Sequence, residues 1–293
     1  MKKILQIGTK GQLGWELLRT CAPLGEVVAL DYPDVDLSNS TGLRELVKSV
    51  KPDIIINAAA YTNVDKAESE PELARAINAN GPGILAEESK KINAVLVHYS
   101  TDYVFDGKKG SPYVETDTPN PLSVYGQTKL EGEQAIEASG CVNLVLRTSW
   151  VYSMRQGGFV TKVLKWARTQ EVMRVVDDQI SSPTSARMLS EITALILAQG
   201  RDDVFDYLRE KGGLYHCAGS GSCSRYEWAK AILEFDPHKE EQIVREIVHS
   251  KSHEFPSLAE RPMISILNIE KIGNYLNLTL QHWEKGLEMV LEA

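Results

Sequence analysis

The first half of the chain alternates short apolar, β-branched runs with amphipathic stretches, and this alternation constrains the fold more than any other feature. Such a pattern is typical of a parallel sheet covered by helices on both faces. The sequence therefore predicts an α/β fold with a doubly wound, Rossmann-like parallel sheet. The predicted strands lie near residues 3–8, 26–30, 53–59, 94–100 and 143–150, and the predicted helices near residues 12–21, 41–50, 72–92 and 123–138.

Beyond residue 150 the alternation weakens. The chain has 293 residues, more than the roughly 250 at which one core stops growing efficiently. We therefore expect a dinucleotide-binding core over residues 1–150 and mainly a substrate-binding lobe over residues 151–293, closely packed on the core. In this second part we predict strands near 172–176 and 214–217, helices near 185–198, 225–235 and 281–291, and a loop-like segment over 247–262.

Composition and charge indicate a small-molecule ligand. The formal net charge is -8, with 43% hydrophobic and 25% charged residues, and no basic cluster of the kind that binds nucleic acid is visible. No apolar run approaches the ~20 residues needed to span a bilayer, and the apolar segment after Met1 is too short for a signal peptide. We expect a cytoplasmic protein without nucleic-acid or membrane partners. The four cysteines lack metal-ligand spacing, so we expect free buried thiols.

A glycine-rich turn follows the first predicted strand. Gly8, Gly11 and Gly14 form the pattern G-x-x-G-x-x-G, with Gln12 and Leu13 at the start of the following helix. A turn of this kind brings free backbone N–H groups and the positive end of a helix dipole to the pyrophosphate of a dinucleotide. The turn therefore predicts a nicotinamide dinucleotide site.

Two charged residues bear on the choice of cofactor. Asp31 ends the second predicted strand, near the spacing at which a carboxylate meets the adenosine ribose. A carboxylate there favours NADH because it repels a 2′-phosphate, whereas Lys10 in the glycine turn favours NADPH. A solvated acid at a strand end is an alternative interpretation of Asp31. The sequence therefore leaves the choice between NADH and NADPH open.

Tyr125 and Lys129 lie four residues apart on a predicted helix, downstream of a strand that ends in Ser100 and Thr101. Residues with this spacing are neighbours on a helix surface. A tyrosine donates a proton to a carbonyl near neutral pH when a nearby cation lowers its pKa. We therefore predict that Tyr125 protonates a carbonyl during reduction, that Thr101 holds the same oxygen, and that Lys129 stabilises tyrosinate and binds the nicotinamide ribose.

The same spacing at Tyr207/Lys211 and Tyr226/Lys230 follows no apolar strand with a hydroxyl at its end. Context therefore selects Tyr125 as the catalytic tyrosine.

Longer blocks of sequence resemble the extended short-chain dehydrogenase/reductase family, in particular its members that act on dTDP-sugars. A series of blocks in order is more specific than either short motif. The blocks are GQLGWEL at 11–17, NAAAYT at 57–62, VDKAE at 64–68, STDYVF at 100–105, VYG at 124–126 with TK at 128–129, RTSWVY at 147–152, DQ at 178–179, PT at 183–184 and RP at 261–262.

The resemblance implies NADH- or NADPH-dependent reduction of dTDP-4-dehydro-β-L-rhamnose at C4 to dTDP-L-rhamnose, an activated sugar for surface polysaccharide. It implies substrate contacts by Thr101, Asp102 and Trp150, although Trp150 also reads as a core tryptophan at a strand end. The cofactor contacts that it implies are Gly11, Gln12, Leu13, Asp31, Asp36, Leu37, Ala59, Ala60, Tyr61, Tyr125 and Lys129.

The resemblance also implies a homodimer as one assembly, and some family members hold magnesium at a dimer contact through glutamates. Glu16 lies at a matching place, but no complete ligand set is recognisable, and a solvated helix glutamate is the simpler interpretation. His249 and His253 lie in a loop-like segment, which favours surface residues over a zinc site.

Two other functions remain open from the sequence. The regulatory subunit of methionine adenosyltransferase is similar to this family without being a reductase, and nucleotide-sugar epimerases and dehydratases share the cofactor turn and the tyrosine–lysine pair. Retention of Thr101, Tyr125 and Lys129 together favours catalysis. Dehydratases usually carry a glutamate after the acidic residue at Asp102, where this chain has Tyr103.

Overall fold

A computed structural model of the chain describes residues 1–155 and 157–292. The strands are β1 (Lys2–Ile7), β2 (Gly25–Leu30), β3 (Ile54–Asn57), β4 (Val95–Thr101), β5 (Asn143–Thr148), β6 (Val151–Tyr152), β7 (Val172–Val176), β8 (Ile180–Ser181), β9 (Thr184–Ser185), β10 (Gly213–His216), β11 (Cys223–Ser224) and β12 (Glu246–Ser250). The α-helices are α1 (Gln12–Thr20), α2 (Ser40–Val50), α3 (Val64–Ser69), α4 (Pro71–Arg75), α5 (Gly81–Lys91), α6 (Val124–Ser139), α7 (Phe159–Ala167), α8 (Ala186–Gln199), α9 (Val204–Lys211), α10 (Arg225–Glu234), α11 (Glu270–Leu276) and α12 (Trp283–Leu291). A π-helical segment (Ala76–Asn80) and four 3₁₀ segments (Ala22–Leu24, Asp102–Val104, Lys239–Glu241 and Ser252–Glu254) complete the described elements.

Six of the described strands form one sheet in the order β2-β1-β3-β4-β5-β10, and every neighbouring pair is parallel. The strand order reverses direction between β1 and β3. Parallel strands place their carboxyl ends along one edge, and ligands of such sheets bind in the crevice at this switch point. The predicted doubly wound α/β fold is confirmed.

Helix α6, which carries Tyr125 and Lys129, has a defined start and end. The side chain of Ser123 accepts a hydrogen bond from the Gly126 amide and so caps the first turn. Gly140 ends the helix with φ 64°, a left-handed conformation that glycine adopts without a steric penalty. Both predicted catalytic residues therefore lie within the first two turns of a well-bounded helix.

Three differences from the sequence-based elements are each associated with specific hydrogen bonds. The predicted helix 72–92 is interrupted by the π-helical segment Ala76–Asn80, where the side chain of Asn78 bonds Thr128 Oγ1 at 3.2 Å. The helix α3 was not predicted, and its start is capped by Asn63. The predicted loop over 247–262 begins as strand β12, which pairs in parallel with β7.

The central sheet contains strands from the parts of the chain before and after residue 150. Strand β10 extends it beyond β5, and α8 and α11 pack beneath it through Leu189 and Ile272. A separate apolar cluster, with Val163, Trp228 and Leu287 at its centre, holds α7, α10 and α12 together. The second part of the chain thus contributes to the core as well as to a lobe of its own.

The four cysteines are free and buried, as predicted. Burial raises the pKa of the Cys21 thiol to about 11. In residues 1–155 and 157–292, no helix has the length and apolar character required to cross a membrane.

Candidate active site

A cleft of about 640 Å³ runs along the carboxyl edge of the sheet, where β1, β3, β4 and β5 end. Most of the residues that the sequence predicted for the site line this one cleft. They are Gly8, Gly11, Gln12, Leu13, Asp31, Asp36, Leu37, Ala59, Ala60, Thr101, Asp102, Tyr125, Lys129 and Trp150.

Gly8 and Gly11, the two glycines of the turn that line the cleft, place no side chain in it. Gly8 has φ 91°, and a Cβ atom there would lie 2.5 Å from the Ala59 amide nitrogen. Gly11 is the N-cap of α1 and places no side chain over the first turn. The amide groups at this helix start suit an anionic group such as a pyrophosphate.

Three predicted cofactor residues, Lys10, Gly14 and Tyr61, do not line the cleft. Gly14 lies inside α1 against β1, where a Cβ atom would be 1.8 Å from the carbonyl oxygen of Gly8, so its role is close packing. The ammonium of Lys10 donates to the Tyr32 carbonyl at 2.8 Å. The Tyr61 hydroxyl donates to Glu70 at 2.6 Å and faces α3 and α4.

The carboxylate of Asp31 closes the glycine turn onto the end of β2. It accepts hydrogen bonds from the amides of Lys10, at 2.6 Å, and Tyr32, at 2.8 Å. Asp36, further along the same wall, accepts from the amide and hydroxyl of Ser38 at 2.8 and 2.7 Å. Asp31 therefore shapes the backbone of the turn in addition to lining the cleft.

Tyr125 meets the end of β4 at the centre of the cleft. Burial raises its pKa well above the usual value, and a hydrogen bond with Thr101 opposes this rise. The ring of Tyr103 packs edge-on against that of Tyr125, with centroids 5.7 Å apart. Tyr125 is thus a neutral phenol, the form that donates a proton, and the predicted lowering of its pKa by Lys129 is not seen.

The ammonium group of Lys129 contacts two residues of β4. Its Nζ atom donates to the Tyr99 carbonyl at 2.6 Å and lies 3.1 Å from His98 Nε2. His98 Nδ1 lies 3.2 Å from Asn57 Nδ2 on β3. Burial lowers the pKa of Lys129 to about 8, and burial together with the Lys129 charge keeps His98 neutral by lowering its pKa.

Asp102 is a buried carboxylate at the junction between the sheet and the lobe, only 1% exposed. It accepts hydrogen bonds from the hydroxyls of Ser265, at 2.5 Å, Ser181, at 3.2 Å, and Thr101, at 3.2 Å. No cation forms a salt bridge with it among the described residues. Burial raises the pKa of Asp102 to about 6 because the hydroxyl groups compensate only part of the lost hydration.

Trp150 forms the wall of the cleft beyond β5. Its φ of 43° lies in the left-handed region, which is costly for a bulky residue. The guanidinium carbon of Arg225 lies 3.6 Å from the centre of the Trp150 ring, and the Trp228 ring stacks nearly parallel to it at 5.4 Å. A strained aromatic residue held in this way offers a flat, rigid surface to a ligand.

Gln12 connects the cofactor turn with the lobe. Its Oε1 atom accepts from the amide and hydroxyl of Ser153 at 2.8 and 3.1 Å, and its Nε2 donates to the Val151 carbonyl at 3.5 Å. The side chain of Gln12 is thus engaged with the segment that follows Trp150.

Sequence reasoning missed several cleft residues, among them Asn57, Tyr103 and Arg225, as well as His98 beneath Lys129. A histidine inside an otherwise apolar strand is a signal that was present in the sequence. Arg225 had no local signal, because only the fold brings the start of α10 to the cleft.

Metal ligands do not gather at Glu16 in the part of the chain that the structure describes. Its nearest charged partner is Arg19, at 3.9 Å. The described group of three side chains that are close enough to share an ion consists of His238, Glu240 and Glu241, all exposed.

The arrangement combines a turn suited to a dinucleotide with a neutral phenol, a hydroxyl and a lysine in one cleft. These are the groups required to deliver a hydride to a carbonyl and a proton to its oxygen. Known proteins have similar sequences and folds. The family model described as "RmlD substrate binding domain" matches residues 1–293. The dTDP-4-dehydrorhamnose reductase of Escherichia coli K12 is 40% identical over 297 residues, which cover 98% of this chain and 96% of that protein.

Two solved structures are also similar over nearly all of both chains. A dTDP-4-dehydrorhamnose reductase from Clostridium acetobutylicum has a TM-score of 0.89 and 33% identity, covering 99% of this chain and 98% of that one. The corresponding protein from Bacillus anthracis, solved in complex with NADP, has a TM-score of 0.88 and 33% identity, covering 99% of each chain. The chain therefore belongs to the RmlD substrate-binding-domain family, to which its sequence blocks had pointed.

Proposed function

We propose that the protein is an NAD(P)H-dependent oxidoreductase that reduces the C4 carbonyl of dTDP-4-dehydro-β-L-rhamnose and releases dTDP-L-rhamnose. The observation that carries this proposal is the convergence of Thr101, Tyr125 and Lys129 with the glycine turn in a single cleft. The names of the relatives support this substrate.

The residues of the cleft fit a nicotinamide dinucleotide. The turn at Gly8 and Gly11 suits the pyrophosphate, because no side chain obstructs the amide groups there. Asp31 lines the cleft at the end of β2, where the adenosine ribose of such a cofactor is expected. An NADP complex is known for the relative from Bacillus anthracis.

The reaction adds one hydride and one proton to the ketone. The bound nicotinamide supplies the hydride for the C4 carbon. Tyr125 donates its phenolic proton to the carbonyl oxygen as the C–O double bond becomes a single bond, and Thr101 turns its one hydroxyl proton from Asp102 to hold that oxygen. The resulting tyrosinate regains a proton from solvent.

We expect Lys129 to assist this proton transfer, because its ammonium group is held in a fixed position. Two of its contacts, to the Tyr99 carbonyl and His98, fix the position of its Nζ atom while the residue lines the cleft. Its remaining hydrogen-bonding capacity would hold the ribose of a nicotinamide bound in the cleft and would stabilise the tyrosinate once Tyr125 has given up its proton. Lys129 would therefore orient the hydride donor and the proton donor together.

The comparisons favour this reductase over the two alternatives. Several relatives that match nearly the whole chain are named as dTDP-4-dehydrorhamnose reductases. The solved epimerases that share the fold are more distant, with 20% identity for the enzyme from Thermotoga maritima. A regulatory subunit without activity would not require a proton donor and a buried lysine in one cleft.

An absorbance assay at the nicotinamide band tests the proposal. The purified protein is mixed with the dTDP-4-keto sugar and either NADH or NADPH, and the loss of reduced cofactor is compared with the sugar product formed. We expect one cofactor oxidised for each sugar reduced. Conversion of the sugar without net cofactor consumption would indicate an epimerase or dehydratase, and no conversion with either cofactor would contradict enzymatic reduction.

A further inference from the structure

Arg225 presents an unpaired cation to the cleft. Its guanidinium carbon lies 3.6 Å from the ring centre of Trp150, 4.9 Å from that of Phe159 and 5.3 Å from that of Trp228. Within residues 1–155 and 157–292, its guanidinium has neither a salt bridge nor a hydrogen bond, and Arg225 lines the cleft. Three aromatic rings therefore hold a charged group whose N–H donors have no acceptor among the described residues.

Such an arrangement is costly unless a ligand supplies the missing acceptors. A guanidinium carries five N–H donors, and a partly buried charge without hydrogen bonds loses hydration that nothing replaces. Arg147, an arginine in the interior, meets Glu133 through two hydrogen bonds of 2.9 and 2.6 Å. Burial lowers the pKa of Arg225 only to about 10, so the group remains charged at neutral pH.

The position of Arg225 separates it from the phosphates of the cofactor. The glycine turn lies at the end of β1, between β2 and β3, whereas Trp150 and Arg225 lie at the end of β5 and in the lobe. The proposed proton donor Tyr125 lies between these two regions, at the end of β4. A second ligand that reaches Tyr125 from the lobe would therefore pass Trp150 and Arg225.

We propose that Arg225 binds the diphosphate of the nucleotide-sugar substrate and that its stacking on Trp150 orients the guanidinium for this contact. The proposal deepens the proposed function and rests on it. The diphosphate is the only anionic group of such a substrate, and it leaves the sugar ring at C1, across the ring from C4. A planar guanidinium stacked on an aromatic face keeps its N–H edge available for two phosphate oxygens.

The strain at Trp150 is consistent with this role. A φ of 43° is unfavourable for a tryptophan, and such outliers concentrate at ligand sites. The indole of Trp150 contacts both Arg225 and Trp228, so this strained position contributes to the wall and to the packing around the cation.

Titration calorimetry with dTDP and with thymidine tests the proposal without any catalytic turnover. In the wild-type protein dTDP should bind more tightly than thymidine, because only dTDP carries the diphosphate. Arg225→Gln should weaken dTDP binding by about 10- to 100-fold and leave thymidine binding unchanged. Arg225→Lys keeps the charge but loses the planar fork, so its dTDP affinity should be intermediate.

Arg187→Gln is the matched control, since Arg187 is exposed and paired with Glu191 on α8. This variant should bind dTDP as the wild type does. NADPH affinity and the melting temperature show whether each variant is folded. If Arg225→Gln is unstable, the dTDP affinity of Arg225→Lys tests the proposal instead.

Two results would overturn the role of Arg225 alone. One is wild-type dTDP affinity in a folded Arg225→Gln variant, and the other is an equal loss for dTDP and thymidine. A wild-type protein that binds NADPH but not dTDP would instead contradict the proposed substrate class, and the inference would fall with it.

Discussion

At the scale of single residues, the site is built from buried polar groups that are expensive for the folded protein. Asp102 and Lys129 are each 1% exposed and form no salt bridge with each other. Burial raises the pKa of Asp102 and lowers that of Lys129, and in both cases the charged form is the one that is penalised. Groups whose pKa values are displaced in this way are concentrated at functional sites.

Tyr125→Phe tests the proton donor. The ring and its packing against Tyr103 are retained, so NADPH affinity should stay near that of the wild type, while turnover should fall by about 10²- to 10⁴-fold. Steady-state kinetics and a cofactor titration provide the two measurements. Tyr207→Phe is the control, because Tyr207 has the same spacing to Lys211 and bonds Gln199 outside the cleft. Undiminished turnover in Tyr125→Phe would remove this residue from the mechanism.

Asp102→Asn tests the cost of the buried carboxylate. The folded-state pKa of about 6 lies above the ordinary 3.8, so the folded state binds more protons between these values and its stability falls as pH rises through them. One pKa unit corresponds to about 1.4 kcal/mol, so ionised Asp102 costs roughly 3 kcal/mol above pH 6.

The asparagine variant lacks this cost. Its free energy of unfolding relative to the wild type should therefore increase by up to about 3 kcal/mol between pH 4 and pH 7. Urea unfolding of both proteins across this pH range measures the difference. A difference that does not change with pH would show that the carboxylate is not held ionised at a cost. Ser265 and Ser181, which bond Asp102, remain able to bond the amide because hydroxyl groups both donate and accept.

At the scale of secondary-structure elements, the local sequence pattern predicted those strands and helices whose formation depends on nearby residues. The strands of the core sheet and helix α6 were predicted within a few residues, because apolar runs and the Ser123 and Gly140 boundaries are visible in the sequence. The π-helical segment Ala76–Asn80 was not predicted, since it depends on contacts of Asn78 with Thr128 far along the chain. The pairing of β12 with β7 is likewise a long-range contact without a local signal.

Two glycines of the same turn should respond differently to alanine. At Gly11 a Cβ atom would lie 3.4 Å from the Gly8 carbonyl oxygen, an ordinary contact, but it would enter the cleft where the pyrophosphate is expected. At Gly14 it would lie 1.8 Å from that oxygen, which requires a shift of the backbone. The first substitution should therefore affect binding, and the second should affect folding.

In numbers, Gly11→Ala should lower NADPH affinity at least about 10-fold, and its unfolding free energy should change by about 1 kcal/mol or less. Gly14→Ala should destabilise the protein by about 1–3 kcal/mol or more. Cofactor titration and urea unfolding of both variants give the comparison. Normal NADPH affinity in Gly11→Ala would contradict the placement of the pyrophosphate at this turn.

At the scale of the whole molecule, the sequence motifs predicted most of one cleft but not how the lobe reaches it. Thr101, Tyr125 and Lys129 were found from motif and context, whereas Arg225 comes from the lobe and is brought to the cleft only by the fold. The predicted division at residue 150 separates two parts of the chain by their position in the sequence. The core itself is completed by β10, which returns to the sheet from the second part.

The last prediction concerns coupling between the two parts of the cleft through Gln12. Its side chain links the cofactor turn to Val151 and Ser153, which follow the Trp150 wall. A cofactor that orders the turn should therefore also favour the ligand-binding position of this wall. We expect saturating NADP⁺ to tighten dTDP binding by about 5-fold or more in the wild type, within the usual range of coupling between sites.

Gln12→Ala should reduce this factor towards one, because it removes all three contacts, while NADP⁺ and dTDP still bind separately. Calorimetric titrations of each ligand in the absence and presence of the other measure the factor twice, since thermodynamic linkage requires both directions to agree. Gln179→Ala is the control, as Gln179 bonds Ser252 within the lobe and touches no part of the turn. Equal coupling factors in the wild type and Gln12→Ala would mean that the cofactor and the substrate wall communicate by another route, or that the lobe is rigidly placed before either ligand binds.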